Sequence, residues 1–126
     1  MDKKPLKIYI SGPISGYCLR ERIRVFAEKA EVIRQRGYIP VNPLEGVTED
    51  AKEDEESRKQ YMRNDIKKLL KCDAIYFFGS YYMSEGCKCE MMVAKTCGLK
   101  LYDYDMDQIT DWDVKLFFQY LIARDD

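Results

Sequence analysis

The 126 residues, 46% of them hydrophobic, are enough for one compact core and predict a single domain over residues 1–126. A formal charge of −1, from 21 basic and 22 acidic side chains without a long basic run, argues against a nucleic-acid polymer as partner. No apolar run approaches the roughly 18 residues of a membrane span, and segment 1–7 lacks a signal-peptide core. We therefore expect a soluble, cytoplasmic protein with no membrane contact.

The cysteines number five, an odd count, and histidine is absent. Cys72 and Cys97 lie at apolar helical positions, where free thiols commonly pack as small hydrophobic groups. Cys87 and Cys89 are close in sequence, but a structural zinc site uses four ligands, usually as two spaced pairs, and no second pair exists. We expect reduced thiols, no metal and no cofactor.

The first elements are a strand, a helix and a second strand. Residues 6–11 alternate and are rich in β-formers, and the turn 12–16, bracketed by glycines, ends this strand. Apolar residues recur at helical spacing over 19–36, and Gly37 predicts the end of that helix. Residues 38–42 predict a short second strand at an edge or irregular position, because it contains a proline.

The segment 45–56 is strongly acidic and has almost no apolar content. This composition predicts a solvated loop. Two interpretations stay open: a lid over a binding site, or a plain surface insertion.

The second half of the chain repeats the alternation of helix and strand. A helix is predicted over 58–71, and the continuous apolar run 74–78 predicts a central strand covered on both faces. Another helix follows over 85–96, then a strand over 99–102 and a last amphipathic helix over 111–123.

This order predicts an α/β fold: a flavodoxin-like or Rossmann-like three-layer sandwich with a mainly parallel sheet of four to five strands, most simply in the order 2-1-3-4. In such a sheet the carboxyl ends of strands one and three flank the point where the strand order reverses. Residues 12–16 and 80–90 should therefore face one crevice.

Two carboxylates can reach that crevice. Glu90 is predicted near the start of its helix, where the backbone dipole favours the ionised form. Asp65, if it turns inward from the preceding helix, supplies a second carboxyl for acid and base chemistry on a leaving group. Without histidine or metal, this pair suggests glycosidic chemistry, although either residue alone is more often a plain surface or helix-end carboxylate.

Five short segments occur together in the order that one known superfamily has them. They are residues 8–13 (IYISGP), 36–43 (RGYIPVNP), 64–66 (NDI), 72–75 (CDAI) and the pattern Ser84-x-Gly86-x-x-x-Glu90. Over roughly residues 6–102 the chain resembles the nucleoside 2-deoxyribosyltransferase superfamily, near its small uncharacterised bacterial and phage members and the deoxynucleoside 5′-monophosphate N-glycosidases.

The resemblance implies catalytic roles for three residues. Glu90 matches the nucleophile that attacks the anomeric carbon of the sugar and forms a covalent glycosyl-enzyme. Asp65 matches the carboxyl that protonates the departing base, and Tyr9 matches a tyrosine close to the nucleophile.

The resemblance also implies substrate-binding positions at Gly12, Pro13, Ser15, Ser84 and Gly86. Ser84 and Gly86 match positions that hold a 5′-phosphate in the monophosphate-cleaving branch. Pro13 and Ser15 stand where that branch has a serine and an arginine that grip the phosphate. Arg20 or Arg22, at the start of the first helix, could supply the cation instead. The alternative interpretation is that both are plain surface arginines on an exposed turn.

The function expected is therefore cleavage or transfer at the N-glycosidic bond of a nucleotide or nucleoside, with hydrolysis slightly favoured. Two alternatives stay open: a nucleotide-binding or NAD-like-ligand-binding module using the same crevice, and a purely structural domain. The resemblance further implies a homodimer or larger homo-oligomer. Aromatic residues in the last helix suit either an interface or the core, namely Trp112, Phe117, Phe118 and Tyr120.

Overall fold

Four strands and three α-helices alternate along the described part of the chain. The computed structural model describes residues 4–103, 105–110 and 114. Among the helices described, none combines the length and the apolar character needed to cross a bilayer. The elements in chain order are β1 (Lys7–Ser11), α1 (Leu19–Gln35), β2 (Ile39–Val41), α2 (Glu55–Leu69), β3 (Ala74–Phe77), a 3₁₀ turn (Tyr81–Met83), α3 (Glu85–Thr96) and β4 (Lys100–Tyr102).

The four strands form one parallel sheet in the order β2-β1-β3-β4. This confirms the predicted α/β fold and the predicted strand order. The chain leaves β1 toward β2 on one side and returns to β3 on the other, so the order reverses between β1 and β3. Ser11 is in register with Phe77 there. The carboxyl ends of the two central strands therefore lie side by side, where α/β folds bind their ligands.

Side chains that alternate along the central strands divide the core into two layers. On one face, α1 contributes Phe26, Ala30 and Ile33, which pack against Ile8, Ile10, Ala74, Tyr76 and Phe78. On the other face, α2 and α3 contribute Leu69, Cys87, Met91 and Ala94, which pack against Tyr9, Ile75, Phe77 and Leu101. The helices therefore sandwich the sheet, and odd-numbered residues of β1 face α2 and α3.

Helix α2 begins at Glu55, three residues before the predicted start. Asp54 precedes it in an extended conformation, and the Ser57 hydroxyl donates to the Asp54 carboxylate. Glu55 and Glu56 occupy the first turn, where the helix dipole favours negative charge. Two acidic residues of the segment predicted as a loop, Glu55 and Glu56, therefore belong to the first turn of a helix. The predicted helix 111–123 lies outside the described residues except at Val114.

Gly12 is required by the close approach of β1 to the aromatic core. A methyl group there would lie 2.4 Å from two ring carbons of Phe78. That ring is 4% exposed and packs edge-on against Phe26 with 5.0 Å between centroids, so it has little room to withdraw. Gly12→Ala is expected to destabilise the fold by about 1–3 kcal/mol, measured by thermal unfolding with circular dichroism.

The matched control is Gly86→Ala, because a methyl there meets only ordinary contacts, 3.8 Å from Met62 Sδ and 3.9 Å from Ser84 Oγ. Alanine also favours the helix, so this variant should melt at or slightly above the wild-type temperature. A Gly12→Ala protein that melts like the wild type would contradict the steric argument.

Candidate active site

A cleft of about 360 Å³ opens at the carboxyl ends of β1 and β3. Its walls come from the turn after β1, the loop before α2, one face of α2 and the first turns of α3. The volume lies in the range typical of small-molecule sites. One part of the lining is apolar and is formed by Ile14, Leu19, Pro43, Leu44, Val47 and Met62.

Glu90 lines the cleft from α3 and is 6% exposed. It is the sixth residue of that helix, so it lies in the second turn and not the first. The Ser11 hydroxyl donates to Glu90 Oε1 over 2.8 Å. The Tyr9 hydroxyl, from the same face of β1, also faces the Glu90 carboxyl and lowers its pKa as a hydrogen-bond donor does. Two hydroxyl groups of the central strand therefore hold this carboxyl at the wall of the cleft.

The ionisation of Glu90 is set mainly by its burial. Burial raises the pKa of Glu90 to about 7, against the opposing effect of the hydrogen bonds from Tyr9 and Ser11, and the nearby charge of Asp65 raises it further. The expectation that the helix dipole would favour the ionised form is wrong, because Glu90 is buried and beyond the first turn. At neutral pH this carboxyl is poised between its two forms.

Asp65 also lines the cleft, from α2, and is half-buried. Burial raises the pKa of Asp65 to about 6, while the neighbouring Lys68 lowers it. Its charge raises the pKa of both Glu90 and Tyr9, so the three groups lie within electrostatic range. The structure therefore brings together the three residues that the sequence predicts as catalytic.

Tyr9 supports Glu90 from behind and does not line the cleft. Its side chain is 1% exposed, and burial together with the charge of Glu90 keeps its pKa well above the usual value. The phenol therefore keeps its proton at neutral pH and acts as a hydrogen-bond donor to the carboxylate.

The first turn of α3 places Ser84 and Gly86 at the cleft. Ser84 caps the helix, and its hydroxyl oxygen accepts from the backbone N–H of Cys87 over 3.2 Å. Gly86 packs close to Met62 of α2, which brings the two helices together beside the cleft. Both residues lie where the sequence predicts them.

The turn after β1 places Gly12 and Ser15 at the cleft but not Pro13. Pro13 is buried and packs toward Gly79, where a methyl group would lie 3.4 Å from the proline Cδ. Of the five predicted substrate-binding residues, four therefore line the cleft.

The two arginines suggested as phosphate partners have other contacts. Arg20 lies 3.8 Å from the Glu49 carboxylate, and the Arg22 guanidinium stacks 4.7 Å from the centre of the Tyr17 ring. Neither lines the cleft.

Three other cations line the cleft: Lys52, Arg58 and Lys68. None of them forms an ion pair with another described residue. Arg58 and Lys68 share a helix face with Asp65, at spacings of seven and three residues. This spacing from Asp65 is the signal in the sequence that could have identified both side chains as part of the cleft.

The acidic loop after β4 brings carboxylate oxygens of Asp103, Asp105 and Asp107 within 4.8 Å of one another. The Asp103 carboxylate accepts from the backbone N–H groups of Asp105 and Asp107, each over 3.0 Å. These bonds stabilise a turn and explain the cluster without a cation.

Comparison with known proteins supports the same architecture. Two solved structures are similar in fold: a conserved protein from Enterococcus faecalis V583, 22% identical with a TM-score of 0.59, and a 2-deoxyribosyltransferase from Bacillus psychrosaccharolyticus, 20% identical with a TM-score of 0.58. The matches cover 79% and 86% of this chain. They span 63% of the Enterococcus protein, which is less than two thirds of its length, and 79% of the Bacillus protein.

No curated protein matches the chain. A family model described as a domain of unknown function (DUF4406) matches residues 6–103, which is most of the sequence. The chain therefore shares the fold of a 2-deoxyribosyltransferase, as the resemblance implies, and it belongs to the DUF4406 family.

Proposed function

We propose that this protein cleaves or transfers the N-glycosidic bond of a nucleotide or nucleoside through a covalent glycosyl–Glu90 intermediate. The observation that carries the proposal is a buried carboxyl with a pKa of about 7 at the wall of a small-molecule cleft, with a second carboxyl on the facing helix. Perturbed carboxyls in a cleft are typical of catalytic sites. The similarity in fold to a 2-deoxyribosyltransferase supports the same chemistry.

In the first step, the Glu90 carboxylate attacks the anomeric carbon of the sugar. The C–N bond breaks, its electron pair leaves with the base, and the Asp65 carboxyl donates a proton to the departing nitrogen. The negative Glu90 also stabilises the positive charge that develops on the sugar.

In the second step, water or another base attacks the same carbon and releases Glu90. Asp65 accepts the proton that this nucleophile loses, and both carboxyls return to their starting forms. Water as nucleophile makes the protein a hydrolase, and a second base makes it a transferase. We propose hydrolysis as the main outcome.

The charges of the cleft favour a phosphorylated substrate over a free nucleoside. Lys52, Arg58 and Lys68 have no ion-pair partner among the described residues, and charged side chains of this kind are suited to binding phosphate. Ser84 and Gly86, at the positive end of α3, offer the hydrogen-bonding geometry of an anion site nearby. The apolar part of the lining suits the face of a base.

Two further predictions belong to this proposal. A cytoplasmic location is supported by the five cysteines, all of which are free thiols. A homo-oligomer stays a prediction, since all four residues suggested for its interface lie outside the described part of the chain.

The first test replaces Glu90 by glutamine and follows base release from ribonucleosides, deoxyribonucleosides and their 5′-monophosphates by chromatography, with and without a second base. Glu90→Gln is expected to lower release by at least about 10³-fold, because it removes the nucleophile. Ligand affinity should stay within about tenfold, which is roughly 1.4 kcal/mol.

The matched control is Glu56→Gln, an exposed glutamate of α2 outside the cleft, which should leave release unchanged. Undiminished release by Glu90→Gln would contradict the covalent role. Saturable binding without release from any substrate would favour the ligand-binding module.

Base release should follow a bell-shaped pH dependence with its maximum between about pH 6 and 7. Glu90, with a pKa of about 7, must be ionised, whereas Asp65, with a pKa of about 6, must be protonated. Activity therefore falls at low pH, where Glu90 is protonated, and at high pH, where Asp65 loses its proton. The two carboxyls interact, so both limbs of kcat/KM against pH belong to the pair.

Asp65→Asn is expected to be about 10²–10⁴-fold slower and to lose the alkaline limb. Its remaining limb should follow the ionisation of Glu90 alone, whose pKa the charge of Asp65 no longer raises. A wild-type kcat/KM that stays level to high pH would argue against Asp65 as the acid.

The preference for phosphate is tested with Arg58→Ala. Loss of a charged donor should raise KM for a nucleoside monophosphate about tenfold and leave KM for the matching nucleoside nearly unchanged. Arg63→Ala, on the same helix but outside the cleft, serves as control. An equal effect of Arg58→Ala on both substrates would contradict phosphate recognition by this residue.

A further inference from the structure

Ser11 is a buried hydroxyl with a direct bond to the proposed nucleophile. It ends β1, is 1% exposed, and donates to Glu90 Oε1 over 2.8 Å. Apart from tyrosines and cysteines, Ser11 and Glu90 are the two buried residues with polar or charged side chains in the described chain. A hydrogen bond to a buried carboxylate is stronger than one between neutral groups.

The backbone holds Ser11 rigidly. β1 lies between β2 and β3, and Ser11 is in register with Phe77. Its carbonyl oxygen accepts from the backbone N–H of Phe78 over 3.1 Å. The hydroxyl is therefore presented to Glu90 from one of the two central strands of the sheet, which gives it a well-defined position.

Ser11 does not line the cleft, whereas Glu90 does. Its hydroxyl therefore has no direct contact with a ligand in the cleft. Any influence of Ser11 on the reaction passes through the carboxyl that it holds.

Cys87 completes the arrangement from the same helix as Glu90, one turn earlier. Its side chain is 2% exposed, and the Ser11 hydroxyl lies close enough to lower the pKa of its thiol. Burial raises the pKa of Cys87 to about 11, so the thiol keeps its proton at neutral pH. A protonated thiol does not compete strongly for the Ser11 proton, which stays available to Glu90.

We propose that Ser11 is a positioning residue for Glu90, whose hydroxyl fixes Oε1 and stabilises the charged carboxylate, so that the nucleophile is ionised and aimed at the cleft. The inference rests on the proposed role of Glu90. It differs from a purely structural role, in which the hydroxyl would only fill space between β1 and α3.

The charged and titratable groups around Glu90 come from three elements and the rim of the cleft. Tyr9 faces it from β1, Asp65 from α2, and Cys87 and Cys89 lie near it on its own helix. The remaining charged side chains of the cleft lining are Lys52, Glu53, Arg58 and Lys68. A substitution at Ser11 leaves all of them in place, so a changed titration of Glu90 reports the lost hydroxyl.

The test is the titration of Glu90 in Ser11→Ala, followed by carbon-13 NMR of protein labelled at the glutamate side-chain carboxyls. The Glu90 signal is assigned by its absence from Glu90→Gln. Because the lost bond favours the charged form, the midpoint of Glu90 is expected to rise by about one to two pH units. The maximum of kcat/KM should fall, because a smaller fraction of the protein then combines an ionised Glu90 with a protonated Asp65.

Ser57→Ala is the matched control, since its hydroxyl also donates to a carboxylate, that of Asp54, but at the exposed start of α2. It should leave the Glu90 midpoint unchanged. If Ser11→Ala does not fold, Ser11→Cys under reducing conditions keeps the size and weakens the donor, and a smaller rise is expected.

A Glu90 midpoint in the folded Ser11 variants within about 0.3 pH units of the wild type, well below the shift expected for a lost charged hydrogen bond, would overturn the proposal. This readout needs no substrate. Absence of base release by the wild type would therefore reject the proposed function, while the titration would still decide whether Ser11 controls the ionisation of Glu90.

Discussion

The structure depends on one constraint, the burial of the Glu90 carboxyl between α3 and β1. A buried carboxyl is costly unless hydrogen bonds compensate for the lost water. Here the compensation comes from the hydroxyls of Tyr9 and Ser11, which lie on one face of a central strand. These hydrogen bonds compensate only partly for the cost of burial, because the pKa of Glu90 stays raised to about 7. That residual cost is what makes the group suitable for chemistry near neutral pH.

The sheet topology places this carboxyl beside a cleft. Because the strand order reverses between β1 and β3, the two connections diverge and leave a space at their carboxyl ends. Helix α3 starts there after the 3₁₀ turn, and Cys87, Met91 and Ala94 anchor it to the sheet. Helix α2 closes the other wall with Asp65. The packing of the apolar core thus keeps the two carboxyls near each other, although the repulsion between their negative charges opposes this arrangement.

Much of this arrangement could be predicted from local patterns. Alternation in β1, helical spacing in α1 and the apolar run of β3 follow from the period of each element, and the α/β order then implies a parallel sheet. Glu90 and Asp65 could be assigned by resemblance to known motifs. No motif in the sequence assigns a role to Ser11, although residues 9 and 11 of a strand share a face. Only the packing of β1 against α3 shows that both hydroxyls reach one carboxyl.

The sequence by itself determined the element types, the strand order and which two carboxyls share the cleft, because these follow from the periodicity of each element, the alternation of strands and helices, and short motifs. Tertiary structure alone decided the ionisation of Glu90, the exclusion of Pro13 from the cleft and the cations that line it. Each of these depends on distances between segments far apart in sequence. The dipole at a helix start predicted a charged Glu90, but burial against β1 outweighs it, and burial is a property of the assembled core.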